Sequence, residues 1–244
     1  EEGGIYVNLR EKCPLTVDQV RSLCAGFITM LIYGSGYIYG TLMPYATSYL
    51  YYSGEKDLTT NTMALLLTIS FIVLIFGMPI CNIPQLQFSA RITILISIFG
   101  VCASIFLISF ATRFWHYLLL YGVLFPIFIG YGYIAPIKNC MAHIPQRKGL
   151  CSGICILGYG ISSVFFNLIL LRLINPNNEL MYKLPDGRKM YPEDVASNVP
   201  YTLKIMSAIY LGFGIIGIAL TSPPEPKNQA LPQNTSELIK EEKE

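Results

Sequence analysis

The stretch Leu150-Cys-Ser-Gly-Ile-Cys-Ile-Leu-Gly-Tyr-Gly-Ile-Ser-Ser-Val-Phe-Phe-Asn-Leu-Ile-Leu-Leu171 decides the fold. It contains no Asp, Glu, Lys or Arg, and it is apolar on nearly every side of a helix drawn through it. A bilayer core of about 30 Å takes about 20 apolar residues in a helix. A helix apolar all round suits lipid or the inside of a bundle better than water. Five further stretches read the same way: Ser22 to about Tyr52, about Thr62 to Ile83, Ile92 to Thr112, about Phe114 to Ile137, and Ile205 to Thr221. The sequence therefore predicts an all-α membrane protein with six transmembrane helices. Barrel strands would show alternating segments of about ten residues, and none is visible. Gly34, Gly36, Pro79, Pro126 and Pro136 lie inside these runs, where membrane helices tolerate them.

The composition agrees. Of 244 residues, 53% are hydrophobic and 13% charged, against roughly 25% charged in ordinary soluble domains. The net charge of +2 and the lack of a basic patch interleaved with aromatics exclude a nucleic-acid partner. Cys13, Cys24, Cys81, Cys102, Cys140, Cys151 and Cys155 fall mostly in or beside apolar runs, as small core residues do. Two histidines, His116 and His143, and no CxxC pair leave no metal cluster to expect, and no cofactor is expected. No Ser/His/Asp constellation lies at bilayer depth, so an enzyme is not expected either. No Asp or Glu lies in the core of a helix, which argues against a proton relay.

The segment before the first run lacks the apolar core of a cleaved signal peptide, so the first helix is expected to act as an internal signal anchor. The connections differ in kind. Ser53-Gly54-Glu55-Lys56-Asp57 is a polar link, links 3–4 and 4–5 are short, and link 5–6 is long, with Pro176, Pro185, Asp186, Gly187 and Pro192 as turn residues. The expected organisation is a cytoplasmic segment 1–21, a six-helix domain 22–221, and a disordered tail or central linker 222–244. With six helices both termini share a side. That side collects Arg10, Lys12, Arg21, Arg91, Lys138, Arg147, Lys148 and Lys227, which places it in the cytoplasm. The sequon Asn234-Thr235-Ser236 would then stay unglycosylated. The expected home is the plasma membrane.

Candidate functional residues are aromatic. Helix 1 carries Tyr33-Gly34-Ser35-Gly36-Tyr37-Ile38-Tyr39-Gly40, in which helical spacing puts Tyr33 and Tyr37 on one face. Its glycines let a neighbouring backbone or a ligand come close. Pro44 is expected to kink this helix or end its deep part, leaving Tyr45 interfacial. Helix 4 carries Tyr121-Gly122 and Gly130-Tyr131-Gly132-Tyr133, and helix 5 carries Gly158-Tyr159-Gly160. Interfacial belts explain tyrosines near helix ends, not deep ones. Tyr159 is deep, whereas the position of Tyr133 fits an interfacial residue or a cavity lining equally. Several tyrosines around one cavity could hold a small carboxylate through their hydroxyls without a formal charge. In link 4–5, Arg147 and Lys148 fix topology and could also mark a turn that moves during transport.

The run Tyr121 to Pro136, with Pro145-Gln-Arg-Lys-Gly-Leu-Cys-Ser-Gly-Ile154 and Gly158-Tyr-Gly160, resembles helices 4 and 5 of the oxalate:formate antiporter and monocarboxylate transporter group of the major facilitator superfamily. That group's link 4–5 reads Trp-Phe-Pro-x-Arg-Arg-Gly-x-x-x-Gly. Here His143 and Ile144 replace the aromatic pair, while Pro145, Arg147, Lys148, Gly149 and Gly153 keep the pattern. Helix 1 is similar through Gly26, Gly34, Tyr37, Tyr39 and Pro44. The resemblance implies the N-terminal six-helix half of a twelve-helix carrier, alternating access, and a small carboxylate substrate of the monocarboxylate, formate or oxalate type. It implies Tyr37, Tyr133 and Tyr159 as substrate-binding residues, a second six-helix half as partner, and the lipid bilayer as surroundings. Two departures accompany it. The family's Asp-Arg-x-Gly-type motif between helices 2 and 3 is reduced to Arg91 in Leu86-Gln-Phe-Ser-Ala-Arg91. The family's substrate-pairing cations belong to the second half. The alternative reading is a degenerate half-transporter serving as a structural subunit of a membrane complex.

Overall fold

The computed structural model describes residues 15–82 and 88–222. Six helical segments in them are long and apolar enough to cross a membrane: Val17–Tyr52, Thr60–Pro79, Ala90–Ile108, Phe114–His143, Pro145–Ile174 and Glu193–Leu220, here spans 1 to 6. The protein is thus an all-α membrane protein. Its surface shows why water is not the matching solvent. Phe76 is 71% exposed, Trp115 70% and Phe99 68%, and a soluble monomer rarely carries so much contiguous apolar surface. Span 6 contains α10, the 23-residue helix Asn198–Leu220, which at about 1.5 Å per residue is long enough for the hydrocarbon core.

Several helices outrun their apolar stretches because local signals extend them into polar sequence. Span 1 opens with α1 (Val17–Tyr33), five residues before Ser22. Thr16 caps it by accepting from the Gln19 N–H, and the Gln19 side chain returns a bond to the Thr16 N–H. This reciprocal pairing satisfies two donors that a helix start otherwise leaves open. Lys138, Lys148 and Arg172 likewise lie on helices near their ends, and Lys204 lies on α10 with its ammonium 4.7 Å from the Phe110 ring centre. Such side chains reach out of the apolar zone while their stems pack along it.

Span 1 is the best-buried span, and it packs on spans 4, 5 and 6. Its main neighbour is α8 (Lys148–Ile174), whose buried residues Cys151, Cys155, Gly158, Ser162, Phe166, Leu170 and Ile174 form one stripe. The two backbones meet where side chains vanish. A Cβ at Gly34 would strike the Tyr159 carbonyl and the Ser162 side chain, and one at Gly158 would strike the Phe27 carbonyl. Small residues at a crossing let membrane helices approach closely, and close approach supplies the dispersion energy that apolar burial cannot supply in lipid. Gly26 makes room for the Cys140 and Cys155 sulfurs in the same way. The five cysteines Cys24, Cys102, Cys140, Cys151 and Cys155 are free, all but Cys24 buried, as the reading of them as small core residues expects.

Both helix interruptions in the described residues have side-chain support. Span 1 tightens into a 3-10 stretch at Gly34–Ile38, between α1 and α2 (Tyr39–Tyr52). The helix does not end at Pro44, since α2 continues past it, and the change of helix type lies up to ten residues earlier. That change also alters the angle between Tyr33 and Tyr37. At three residues per turn a step of four advances about 120° past a full turn, against about 40° in an α-helix. Tyr33 is buried and Tyr37 is 46% exposed, yet both line one small cavity, so the two still share a side of span 1. Span 4 starts with α5 (Phe114–Tyr117), widens to π-type bonding over Leu118–Leu124, then continues as α6 (Phe125–Gly132) and α7 (Ile134–His143). Pro126 directly follows the widened part. A proline ring cannot sit against the carbonyl four residues back, and a wider turn moves that carbonyl away.

The two ends of the bundle are tied by polar groups. At the end where span 1 begins and span 6 finishes, Arg21 Nη2 donates to the Ala219 carbonyl at 2.7 Å and Gln19 Nε2 to the His143 carbonyl at 3.2 Å. The His143 ring lies 2.9 Å from the Asn139 carbonyl through Nδ1 and 3.3 Å from the Ser222 hydroxyl through Nε2. At the other end, link 5–6 is not a plain loop. Tyr182–Lys183 (β1) pairs antiparallel with Lys189–Met190 (β2), and the short helix α9 (Glu193–Ala196) follows. Pro185, Asp186 and Gly187 make the turn, with Gly187 at φ +87°, where a side chain would be strained. Arg188 holds Asp186 and also donates to the Lys56 and Leu58 carbonyls of link 1–2 at 2.6 and 3.1 Å. Tyr45, expected at the interface, is buried beneath this hairpin and stacks on Tyr191 with ring centres 4.1 Å apart. Residues 1–14 of the expected N-terminal segment, residues 223–244 of the expected tail, and Leu86 and Gln87 of the helix 2–3 motif lie outside the described residues.

The Gly34 crossing predicts unequal costs for adding one methyl group. Gly34→Ala is expected to cost about 1–3 kcal/mol of stability in detergent unfolding. Gly40→Ala, with nothing within 4 Å of the added carbon, is expected to change stability by less than about 0.5 kcal/mol. The hairpin predicts acid sensitivity. The Arg188 side chain holds the Asp186 carboxyl below its ordinary range, with the Arg188 N–H adding to this. A lowered carboxyl stabilises above its ordinary value of about 4 and loses that contribution as pH falls through the lowered one. Amide exchange at Leu184 and Arg188, corrected for intrinsic rates, should therefore lose protection on acidification, and Asp186→Asn should abolish the difference.

Candidate functional site

The three tyrosines singled out in the sequence meet on one side of the bundle. Tyr37 comes from the 3-10 stretch of span 1, Tyr159 from the middle of α8, and Tyr133 from the junction of α6 and α7 in span 4. Tyr159 stands between the others. Its ring centre lies 5.6 Å from Tyr37 and 5.5 Å from Tyr133, at interplanar angles of 82° and 87°. These are edge-to-face pairs, an arrangement the ring quadrupoles favour. Phe71 of α3 (Thr60–Asn82) adds a fourth ring, 5.8 Å from Tyr37. Tyr37 is the exposed member, whereas Tyr133 and Tyr159 are half-buried.

Behind the cluster lies a small cavity of about 30 Å³, lined among others by Tyr37, Ser70, Phe71, Tyr121, Phe125 and Tyr159. A volume of that size holds a water molecule or two; a carboxylate solute with its own carbon frame does not fit inside. The usable face is therefore the open one in front of Tyr37, not the hollow behind it. Tyr133 is absent from the cavity wall, so it belongs to the open face through its contact with Tyr159. The cluster supplies three phenol hydroxyls, each able to donate and to accept, set on apolar rings. It holds no formal charge. It can therefore orient a polar solute by hydrogen bonds, while full compensation of an anion needs a cation from elsewhere.

The shape of the cluster depends on residues that the sequence reading left without a role. Tyr121 donates its hydroxyl to the Gly36 carbonyl at 2.8 Å, and its ring lies on Tyr39 at 4.5 Å and Phe125 at 5.0 Å between centres. The Tyr39 hydroxyl donates to the Met63 carbonyl at 2.8 Å. Ser70 donates to the Tyr121 carbonyl at 2.9 Å and Ser97 to the Phe128 carbonyl at 2.6 Å. Spans 1, 2, 3 and 4 are thus tied together at the level of the tyrosines. Depth in the run marks Tyr121 as it marks Tyr159. The reach of its hydroxyl to another span is a tertiary fact without a sequence signal. In link 4–5, Arg147 and Lys148 are exposed, as a topological role requires, whereas His143 is buried.

The chain is similar in sequence to proteins named as transporters. No family model matches the chain. An MFS-type transporter of Aspergillus fumigatus is 21% identical over 164 residues, which cover 67% of this chain and 33% of that protein. The apicoplast pyruvate carrier 1 of Toxoplasma gondii is 23% identical over 256 residues, which cover 84% of this chain and 46% of the carrier. The chain therefore spans less than half the length of either relative. Both relatives are transporters by name, and with six membrane-crossing helices the likeness supports membrane transport as the general role of this chain.

Proposed function

We propose that this chain forms the N-terminal six-helix half of a secondary-active carrier for small carboxylates, working by alternating access against a second six-helix half. The observation that carries the reading is the convergence of Tyr37, Tyr133 and Tyr159 on one open face of the bundle, with ring centres 5.5 and 5.6 Å from Tyr159. Their hydroxyls would donate to the carboxylate oxygens and their rings would pack on its short carbon frame. The second half would supply the cation and the opposite wall. The name of the Toxoplasma relative specifies pyruvate, a monocarboxylate, which agrees with this substrate class. Both chain termini would face the cytoplasm, where Arg21, Lys138, Arg147 and Lys148 gather. A degenerate half-transporter acting as a structural subunit is the competing reading, favoured by the loss of the motif between helices 2 and 3.

The test is uptake of labelled formate, oxalate, lactate and pyruvate into proteoliposomes holding the natural full-length product. Saturable uptake of at least one is expected. Tyr133→Phe should raise KM by about tenfold, the loss expected when one hydrogen bond to a charged group is removed. Absence of saturable uptake for all four overturns the carrier reading. Co-purification within a larger assembly, together with that absence, establishes the subunit reading.

A further inference from the structure

Every residue of the 3-10 stretch in span 1 has a fixed neighbour, and one bond ties the stretch to another span. Gly34 abuts the Tyr159 backbone. Ser35 is buried beside Tyr210 of span 6. Ile38 is buried, and Tyr39 is held by Met63 and Tyr121. The Gly36 carbonyl receives two donors: the Tyr39 N–H, three residues on, and the Tyr121 hydroxyl from span 4. In a continuous α-helix that carbonyl would instead take the Gly40 N–H. The shorter bond is the poorer one by geometry, so the 3-10 turn needs outside support to persist. The Tyr121 hydroxyl supplies it by giving the carbonyl a second donor at 2.8 Å.

We propose that Tyr121 is a positioning residue for the substrate face. Its hydroxyl bond to Gly36 holds the Gly34–Ile38 turn in 3-10 form, and that form turns Tyr37 out of the buried side of span 1 and into line with Tyr159. This rests on the reading of Tyr37 as a substrate contact, but its structural part stands apart from it. Returned to α-helix, the segment would rotate Tyr37 by about 80° relative to Tyr33, from its half-exposed position toward the side of the fully buried Tyr33. Ser70 is a different kind of support, since it holds the Tyr121 backbone and not its hydroxyl.

The experiment separates position from transport. Tyr37→Cys in proteoliposomes is labelled with a water-soluble maleimide, in the otherwise natural protein and with Tyr121→Phe added. Phe keeps both ring contacts and loses only the donor. Labelling is expected to slow by about tenfold, the shift that one lost hydrogen bond gives to a two-state turn. Tyr39→Phe, which loses an equally short bond outside the turn, should leave it within about twofold. p-Aminophenylalanine at position 121, which restores a para donor, should return the rate. A labelling rate that Tyr121→Phe leaves unchanged overturns the proposal. Should Tyr121→Phe fail to fold, p-aminophenylalanine against p-methylphenylalanine at position 121 keeps it testable: the two are alike in size and differ in the para donor, and equal labelling rates overturn it. For any carboxylate the protein takes up, Tyr121→Phe is expected to raise KM by about tenfold with Vmax within about twofold. Intact labelling differences without any uptake leave this placement standing and count against the carrier reading alone.

Discussion

A backbone carbonyl inside a bilayer has no water to bond when its helical partner is missing. This chain meets that constraint twice and answers it with hydroxyl groups. Where span 4 widens before Pro126, Ser70 of span 2 donates to the Tyr121 carbonyl. Where span 1 tightens at Gly34–Ile38, Tyr121 itself donates to Gly36. One residue therefore stands at both irregular places, accepting through its backbone and donating through its ring. Elsewhere Thr29, Thr47 and Ser104 turn their hydroxyls back to carbonyls four residues earlier on their own helices, which satisfies them without tying spans together. The difference sorts the small polar residues of the core into those that only hide a hydroxyl and those that fasten one span to the next.

The tyrosine face is a consequence of that fastening. Gly34 brings α8 so close to span 1 that the Tyr159 backbone touches it, which sets how near the Tyr37 and Tyr159 rings can stand. Gly132 leaves room on span 4 for the Tyr33 hydroxyl and Ser97, so Tyr33 fills the core where Tyr37 would otherwise compete. The glycines of these spans thus divide by neighbour. Gly26, Gly34, Gly132 and Gly158 mark close crossings, while Gly40, Gly153 and Gly160 have nothing within 4 Å of an added carbon. Sequence alone marks both kinds with the same letter.

What the sequence made legible follows from the range of the forces involved. The six spans are readable because hydropathy over about 20 residues needs no partner to be meaningful. Tyr37, Tyr133 and Tyr159 were legible as a group through helix depth and motif position, and the structure does bring them together. Tyr33 and Tyr37 do line one cavity, but their unequal burial was not legible, because a step of four turns further in a 3-10 stretch than in an α-helix and the hydroxyl that bonds this stretch comes from a residue 85 positions away. The hairpin over the end of span 1 was read as loop because strands of two residues carry no period. Their register is fixed by tertiary contacts: Arg188 on the Lys56 and Leu58 carbonyls, and the burial of Met190.

The chemistry of the open face sets a requirement on whatever lies against it. Three phenol hydroxyls can direct an anion but cannot neutralise it, and moving an uncompensated carboxylate out of water costs far more than three neutral hydrogen bonds return. The described cations offer no remedy from within the cluster. Arg21, Lys138, Arg147 and Lys148 belong to one end of the bundle, and Arg172, Arg188 and Lys204 to the other. On the proposed reading, this face, aromatic, uncharged and 46% exposed at Tyr37, would form one half of a binding site in electrostatic terms as well as in shape. It can choose among small solutes by hydrogen-bond geometry and ring contact, while the charge that attracts an anion into the membrane must come from the opposing wall. Dividing the work in this way has a mechanical consequence. On the proposed reading, a carboxylate held by these hydroxyls and by a cation on an opposing wall would be released when the walls part, because separation takes the cation from the hydroxyls that share the ligand.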